Sequence, residues 1–329
     1  MTMRRRDVIT LLGGTAVGWP LAAQAQQSPV LPLIGILSAL SSATAARNID
    51  AFRAGLRDLG YVESRNIKVE LRFADGVNER LPDLAAELVA LKPAVIIAGG
   101  PQAALAVHDV THTIPIVTNS SENPVVLGLA ASLARPGGNV TGFWFDDEGL
   151  TGKRFEVLKE AVPGTTRVGI VLNPNDASDN NVLKSLPAVT RALGLTVRVL
   201  EVRTQSEFES AFMTATREDL QGLQISLAPI FFSHRAMLTT MAANARLLAV
   251  YGMREFAMVG GLMSYGASFA DIYRRLAGFA DQIIKGTGPA DLPIQRPVKF
   301  ELVINLKTAK ALGLTISESL LLRADEVIE

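Results

Sequence analysis

The residues best suited to bind a small molecule lie in polar, glycine-containing turns that follow predicted strands. Backbone N–H groups at a helix start bind carboxylates, and hydroxyl and amide side chains can orient a ligand. Ser, Asn and Gly are also the residues that turns favour, so a purely structural role for each turn stays open. The candidate ligand contacts in these turns are Ser38, Ser41, Gly100, Pro101, Gln102, Asn119, Glu122 and Asn175.

The sequence contains no recognisable motif for catalysis or for a cofactor. It has no G-x-x-x-x-G-K-[ST] phosphate loop and no G-x-G-x-x-G after a strand. The stretch from Gly261 to Gly266 has the wrong spacing for a G-x-S-x-G nucleophile elbow. There is no cysteine, which excludes disulfides, thiolate metal sites and a cysteine nucleophile. We therefore predict a binding protein rather than an enzyme, with no catalytic residue and no cofactor.

Two histidines are spaced so that a helix could place both on one face. His108 and His112 are four residues apart, but the predicted helix ends near Val110 and no acidic third ligand is nearby. We expect a solvated helix end here and no metal site.

Length and charge narrow the class of protein. A chain of 329 residues is long enough for two domains of roughly 150 residues each. Lys plus Arg and Asp plus Glu both number 32, so the net charge is zero. A neutral balance gives no electrostatic indication of nucleic-acid or membrane binding.

The first 25 residues are typical of an export signal. Arg4, Arg5 and Arg6 precede an apolar stretch, and Ala23-Gln24-Ala25 is a small-x-small cleavage site. The twin arginines favour the twin-arginine route, and a Sec signal is the alternative. We expect cleavage near Ala25 and a periplasmic protein with no transmembrane helix.

Short apolar runs alternate with amphipathic stretches in two successive series, which predicts parallel sheets covered by helices. Passages rich in Pro and Gly at 135–138, 260–261 and 286–297 are candidate crossings between two lobes. We predict an α/β protein with lobe 1 formed by 26–145 plus 262–288 and lobe 2 by 146–261 plus 289–329. Ligands of open α/β sheets bind beyond the carboxyl ends of the strands, here in a cleft between lobes.

Over nearly its whole length the chain resembles the substrate-binding proteins of ABC transporters, in particular the tryptophan/tyrosine transport type. The matching stretches are 4–14, 123–125, 132–142, 254–256, 260–266 and, most specifically, Lys-Phe-Glu-Leu-Val-Ile-Asn-Leu-Lys-Thr-Ala-Lys at 299–310.

The resemblance implies a type I periplasmic-binding-protein fold of two doubly wound lobes joined by a hinge. It also implies a membrane permease and an ATPase as partners of a monomeric protein. Tyr265 lies in a matching motif and is the expected aromatic contact, with packing near the hinge as the alternative. Ala228 stands where an acid is common, and Glu122 is the candidate replacement for that acid. This departure leaves the ligand open among aromatic amino acids, other amino acids and small carboxylates.

Three further roles stay open beside uptake by an importer. The protein could present its closed form to a membrane receptor as a ligand sensor. An exported hydrolase on the same scaffold would need a nucleophile–base motif that the sequence does not contain. A cytoplasmic regulator would need a DNA-binding helix pair where the signal segment lies.

Overall fold

The computed structural model describes residues 31–145 and 148–329. The predicted export signal therefore lies outside the described residues. The chain from Pro32 to Glu329 forms one compact unit of twelve strands and twelve helices in its described part. No helix in this part is long and apolar enough to cross a membrane.

The strands, numbered β1 to β12 in chain order, are Leu33–Ser38, Lys68–Phe73, Val95–Gly99, Ile116–Ser120, Val140–Trp144, Arg167–Leu172, Thr196–Glu201, Gly222–Ile225, Leu248–Tyr251, Met263–Ala267, Phe300–Asn305 and Glu326–Ile328. The helices, α1 to α12, are Ser42–Asp58, Leu81–Ala90, Pro101–Val110, Glu148–Ala161, Ala177–Leu193, Phe208–Arg217, Pro229–Ser233, Arg235–Asn244, Arg254–Met258, Phe269–Ile284, Leu306–Ala311 and Glu318–Leu321.

Lobe 1 is built on a five-stranded parallel sheet in the order β2-β1-β3-β4-β5. Helices α1 and α10 cover one face, and α2 and α3 cover the other. The strand order reverses between β1 and β3, which is where doubly wound sheets bind ligands.

Lobe 2 is built on a seven-stranded sheet in the order β12-β11-β10-β9-β8-β6-β7. From β6 to β10 it repeats the strand order of lobe 1, with a second reversal between β6 and β8. Helices α4, α5, α11 and α12 cover one face, and α6 to α9 the other. Strands β6 to β10 are parallel, whereas β11 runs antiparallel to β10 and β12 is parallel to β11, so these last two strands run in the opposite direction. The predicted class, two doubly wound lobes, is therefore confirmed, and the two lobes are alike in construction.

The chain passes between the lobes at positions that differ in part from the expected crossings. Met263–Ala267 pairs within the sheet of lobe 2, and α10 immediately after it packs on α1 of lobe 1. The segment Pro289–Asp291 contacts β5, and Gln295 bridges to Phe143 in lobe 1 before the chain enters β11. The passage 286–297 thus precedes a crossing, whereas 260–261 lies between two elements of lobe 2. The precise lobe boundaries stay a prediction.

The apolar pattern explains how α10 is held. Its residues Ile272, Leu276, Phe279 and Ile283 are all buried in one cluster with Phe52 of α1 and the inner face of the sheet. These spacings of three and four residues place the side chains on one helical face. Burying a side chain of this size stabilises the fold by about 1.5–3 kcal/mol each.

Candidate ligand-binding cleft

A cavity of about 140 Å³, partly open to solvent, lies between the lobes, at the carboxyl ends of both sheets. Both strand-order reversals open onto it: β1 and β3 of lobe 1 lead directly into lining residues, as does β8 of lobe 2. The lining residues are Ser38, Ala39, Leu40, Asn48, Asn78, Gly99, Gly100, Pro101, Gln102, Asn119, Ser121, Phe145, Leu227, Pro229, Phe232, Met253, Glu255, Phe269 and Tyr273.

Strand register brings three of the lobe 1 residues together. Gly99 pairs with Ser38 on one side and with Asn119 on the other. Residues paired across parallel strands point to the same face, so all three face the side covered by α1 and α10. Gly99 leaves room for Tyr273 from α10: a Cβ at this glycine would lie 2.8 Å from the tyrosine hydroxyl.

Helix α3 begins at the cavity wall. Its N-cap is Gly100, whose φ of 97° is a conformation that side chains rarely adopt, and Pro101 occupies the first turn, where its missing N–H is no loss. The free backbone N–H groups of this ten-residue helix give its start a positive potential.

Aromatic and aliphatic side chains form most of the remaining wall. Phe145 and Phe269 meet edge to face with ring centroids 5.2 Å apart on the lobe 1 side. Phe232 of α7 faces from lobe 2, Leu40 packs against the cores of both lobes, and Leu227 packs against the core of lobe 1. This composition suits a ligand with an apolar body.

Two polar atoms in the lining are buried without a hydrogen-bond partner among the described residues. They are Oδ1 of Asn119 in lobe 1 and Oε2 of Glu255 in lobe 2. Burial raises the pKa of the Glu255 carboxyl, while the positive charges of Arg254 and Arg235 act in the opposite direction. Buried polar groups in native proteins are almost always partnered by protein or water, so both atoms are available to accept a hydrogen bond from a ligand or a water molecule.

The chain matches the family described as "ABC transporter substrate binding protein" over residues 33–328. It belongs to this family.

Similar proteins match this substrate-binding protein in sequence or in fold over most of its length. A protein named "Tyrosine-binding protein" from Clostridioides difficile is 24% identical over 281 residues, which is 85% of this chain and 81% of the relative. A Streptococcus pneumonia domain solved in complex with L-Trp superposes with a TM-score of 0.79 at 23% identity, covering 91% of this chain and all of that one. The ligand-free, open structure of CD0873 from Clostridium difficile gives a TM-score of 0.71 at 19% identity, covering 91% and 99% of the two chains.

Of the candidate contacts expected from the sequence, half line the cavity of the substrate-binding protein. These are Ser38, Gly100, Pro101, Gln102 and Asn119. Each lies at, or directly after, the carboxyl end of a lobe 1 strand.

Three other candidates from turns lie outside the cavity lining. Ser41 caps α1, where its hydroxyl accepts a hydrogen bond from the Thr44 N–H at 3.3 Å. Asn175 is exposed in the turn before α5, and its N–H is bonded to Asn173. Glu122 lies outside the lining, where burial and the negative charge of Asp176 raise its pKa.

The two candidates that came from the family resemblance also lie outside the lining. Ala228 is the buried N-cap residue of α7 between two lining residues, Leu227 and Pro229. Tyr265 stacks on Phe300 with ring centroids 6.3 Å apart, and its carbonyl accepts a 2.8 Å hydrogen bond from Arg154. The tyrosine therefore lies in the packing position that was its alternative, and the assignment of both residues to the ligand stays a prediction.

The sequence analysis missed Glu255 and the residues that α1 and α10 contribute to the cavity wall. Glu255 follows β9 in a five-residue helix, and the rule that ligands meet the carboxyl ends of strands would have selected it. Asn48, Phe269 and Tyr273 come from α1 and α10, whose proximity no local pattern reveals.

The histidines and other titratable groups form no metal centre in the described ranges 31–145 and 148–329. No cluster of three or more His, Cys, Asp or Glu residues comes together there. His108 and His112 meet edge to face, with ring centroids 4.8 Å apart, where α3 ends at Val110.

Proposed function

We propose that this substrate-binding protein captures a small α-amino acid between its lobes and delivers it to an ABC permease and its ATPase. The observation that carries the proposal is the pair of buried polar atoms without a hydrogen-bond partner among the described residues, Oε2 of Glu255 and Oδ1 of Asn119, in opposite walls of the cavity. Membership in a family of substrate-binding proteins supports binding rather than catalysis as the role.

Glu255 suits the ammonium group of the ligand. Among the described residues that line the cavity there is no Lys or Arg, and Glu255 is the one with a charged side chain. A hydrogen bond between charged groups in such a site contributes about 1.5–3 kcal/mol. This residue supplies the acid whose absence at Ala228 left the ligand class open.

The start of α3 suits the carboxylate group of the ligand. The free N–H groups beyond Gly100 lie beside Asn119, because the strands that carry Gly99 and Asn119 are paired. Asn119 is 4% exposed, and its Oδ1, unpartnered among the described residues, accepts only from a donor group of the ligand, so the carboxylate is assigned to the backbone N–H groups. A carboxylate here would gain backbone hydrogen bonds and the favourable end of the helix dipole without a cationic side chain.

The volume and the walls support an apolar ligand side chain of modest size. An engineered protein cavity of about 150 Å³ holds a benzene ring, close to the 140 Å³ of this one. The binding of L-Trp and the name "Tyrosine-binding protein" among the relatives also favour an amino acid with an apolar body.

Uptake would proceed in the periplasm, where the segment 1–25 would direct the protein. Ligand binding would shift the population of lobe arrangements toward the closed one, which the permease would recognise. Hinge closure about the interlobe crossings is the motion that this fold allows.

A calorimetric screen of the refolded, ligand-free protein against the L-amino acids tests the proposal. We expect one chemical group of amino acids to bind, and Glu255→Gln to weaken that binding about ten- to hundredfold. The matched control, Glu209→Gln, removes an exposed charge from the same lobe and should leave the affinity unchanged. Binding of sugars or dicarboxylates in place of amino acids would refute the ligand class, and unchanged affinity in Glu255→Gln would refute its assignment.

A further inference from the structure

We propose that Arg235 is a positioning residue that couples lobe closure to the ligand cavity. Its side chain connects the first turn of α1 in lobe 1 to Phe232, a residue of the cavity wall in lobe 2. The proposal rests on the cavity being the ligand site, and it is tested below on ligand-free protein.

On the lobe 2 side, Arg235 is fixed against a residue of the cavity wall. Its guanidinium lies 4.7 Å from the centroid of the Phe232 ring and donates a 3.0 Å hydrogen bond to the Phe232 carbonyl oxygen. A guanidinium stacked on an aromatic face gains a cation–π interaction, so one side chain holds both the ring and the backbone of the wall.

On the lobe 1 side, the same guanidinium reaches α1. It donates to the Thr44 hydroxyl at 3.4 Å, at the long end of the range for a hydrogen bond. Thr44 is held by the N-cap residue Ser41, whose hydroxyl is bonded to it at 3.0 Å. The contact therefore links two ordered elements from different lobes and depends on their separation.

The position of Arg235 is not explained by the helix that carries it. It is the first residue of α8, where the helix dipole disfavours a positive charge. The compensating negative charge is Glu255, since Arg235 is one of two cations that stabilise the ionised form of that carboxyl.

Arg235 differs from the other cation near Glu255 in its ion pairing. Arg254, the second cation, is engaged with Glu326 at 2.8 Å and lies 4.0 Å from Glu301. Burial raises the pKa of Glu301, Arg254 lowers it, and the negative charge of Glu255 raises it further. Arg235 has no carboxylate within ion-pair distance among the described residues, so its charge remains available to Glu255, and its geometry changes when the lobes part.

The first test is an NMR titration of the Glu255 carboxyl carbon in ligand-free protein, assigned with Glu255→Gln. We expect Arg235→Gln to raise the pKa of Glu255, Arg235→Lys to restore most of the wild-type value, and Thr44→Val to leave it unchanged. The control Arg198→Gln removes an exposed arginine that pairs with Glu218. An unchanged Glu255 pKa in Arg235→Gln, or an equal rise in Arg198→Gln, would overturn the electrostatic part of the proposal.

The second test measures the distance between lobes by electron spin resonance. The chain has no cysteine, so labels on Asp50→Cys in α1 and Glu209→Cys in α6 mark one site per lobe. Both Arg235→Gln and Thr44→Val should lower the ratio of closed to open arrangements about two- to tenfold, as expected for one lost hydrogen bond. Distance distributions identical to the wild type in both variants would refute the closure link, whatever amino acid the protein binds.

Discussion

Replacing Gly55 by alanine tests how tightly α1 and α10 must approach for lobe 1 to form. A Cβ at this position would lie 2.3 Å from the carbonyl oxygen of Arg274 and 2.9 Å from the Cβ of Ala277. The nearer atom belongs to the backbone, so no side-chain rotation can relieve the clash, and the two helices must separate.

Two opposing contributions set the magnitude. Alanine is favoured over glycine by about 0.8–1.0 kcal/mol inside a helix. Overpacking of a close interface costs about 1–3 kcal/mol, and a backbone contact as short as this one belongs at the upper end. The expected result is a net loss of about 2 kcal/mol in the free energy of unfolding.

A matched glycine in the partner helix isolates the clash. Gly278 of α10 has no atom within 4 Å of the Cβ position, so Gly278→Ala receives the helix-propensity gain alone. Urea unfolding followed by circular dichroism should show Gly55→Ala less stable than the wild type and Gly278→Ala more stable by up to about 1 kcal/mol. Equal stability changes in the two variants would refute the close-approach argument. Because α1 and α10 carry Asn48 and Tyr273, Gly55→Ala should also weaken ligand binding.

Two predictions concern pH. Burial and the hydrogen bond to Asp281 raise the pKa of Tyr61 to about 12. Because the unfolded phenol ionises near 10, the stability from this residue is present below pH 10 and lost as the pH rises toward 12. The difference in phenolate absorbance between wild type and Tyr61→Phe measures this ionisation directly, and a midpoint near 10 would contradict it. Burial also raises the pKa of Glu255 above its ordinary value of 4.5, so amino-acid affinity should fall as the pH decreases through that raised value. Calorimetry across this range should show the fall in the wild type and a flat profile in Glu255→Gln, and a flat profile in both would remove Glu255 from the ammonium site.

Local sequence patterns were sufficient to predict the strands of both sheets that lead into the cleft. The turn Gly99–Gln102 could be selected because a buried strand precedes it and a helix follows it. The antiparallel direction of β11 was not predictable in this way, since an apolar run carries no information on strand direction.

The site was predictable only where it lies in turns. Tyr265 was expected at the ligand, but it lies on the same face of β10 as Met263, and both side chains pack in the core of lobe 2. Glu255 follows a strand and could have been selected, whereas Tyr273 reaches the cavity through contacts between elements distant in sequence. Such contacts depend on helix packing and hinge geometry, which one sequence without an alignment does not specify.

The return of α10 to lobe 1 fixes the order in which the protein can fold during synthesis. The apolar face of α1 stays uncovered until Phe269–Ile284 has left the ribosome, after nearly all of lobe 2 has been made. At ~5–20 residues per second, the delay between α1 and α10 is roughly ten to forty-five seconds. Throughout it, the nascent N-terminal lobe exposes an unburied surface that chaperones or an export machinery could bind.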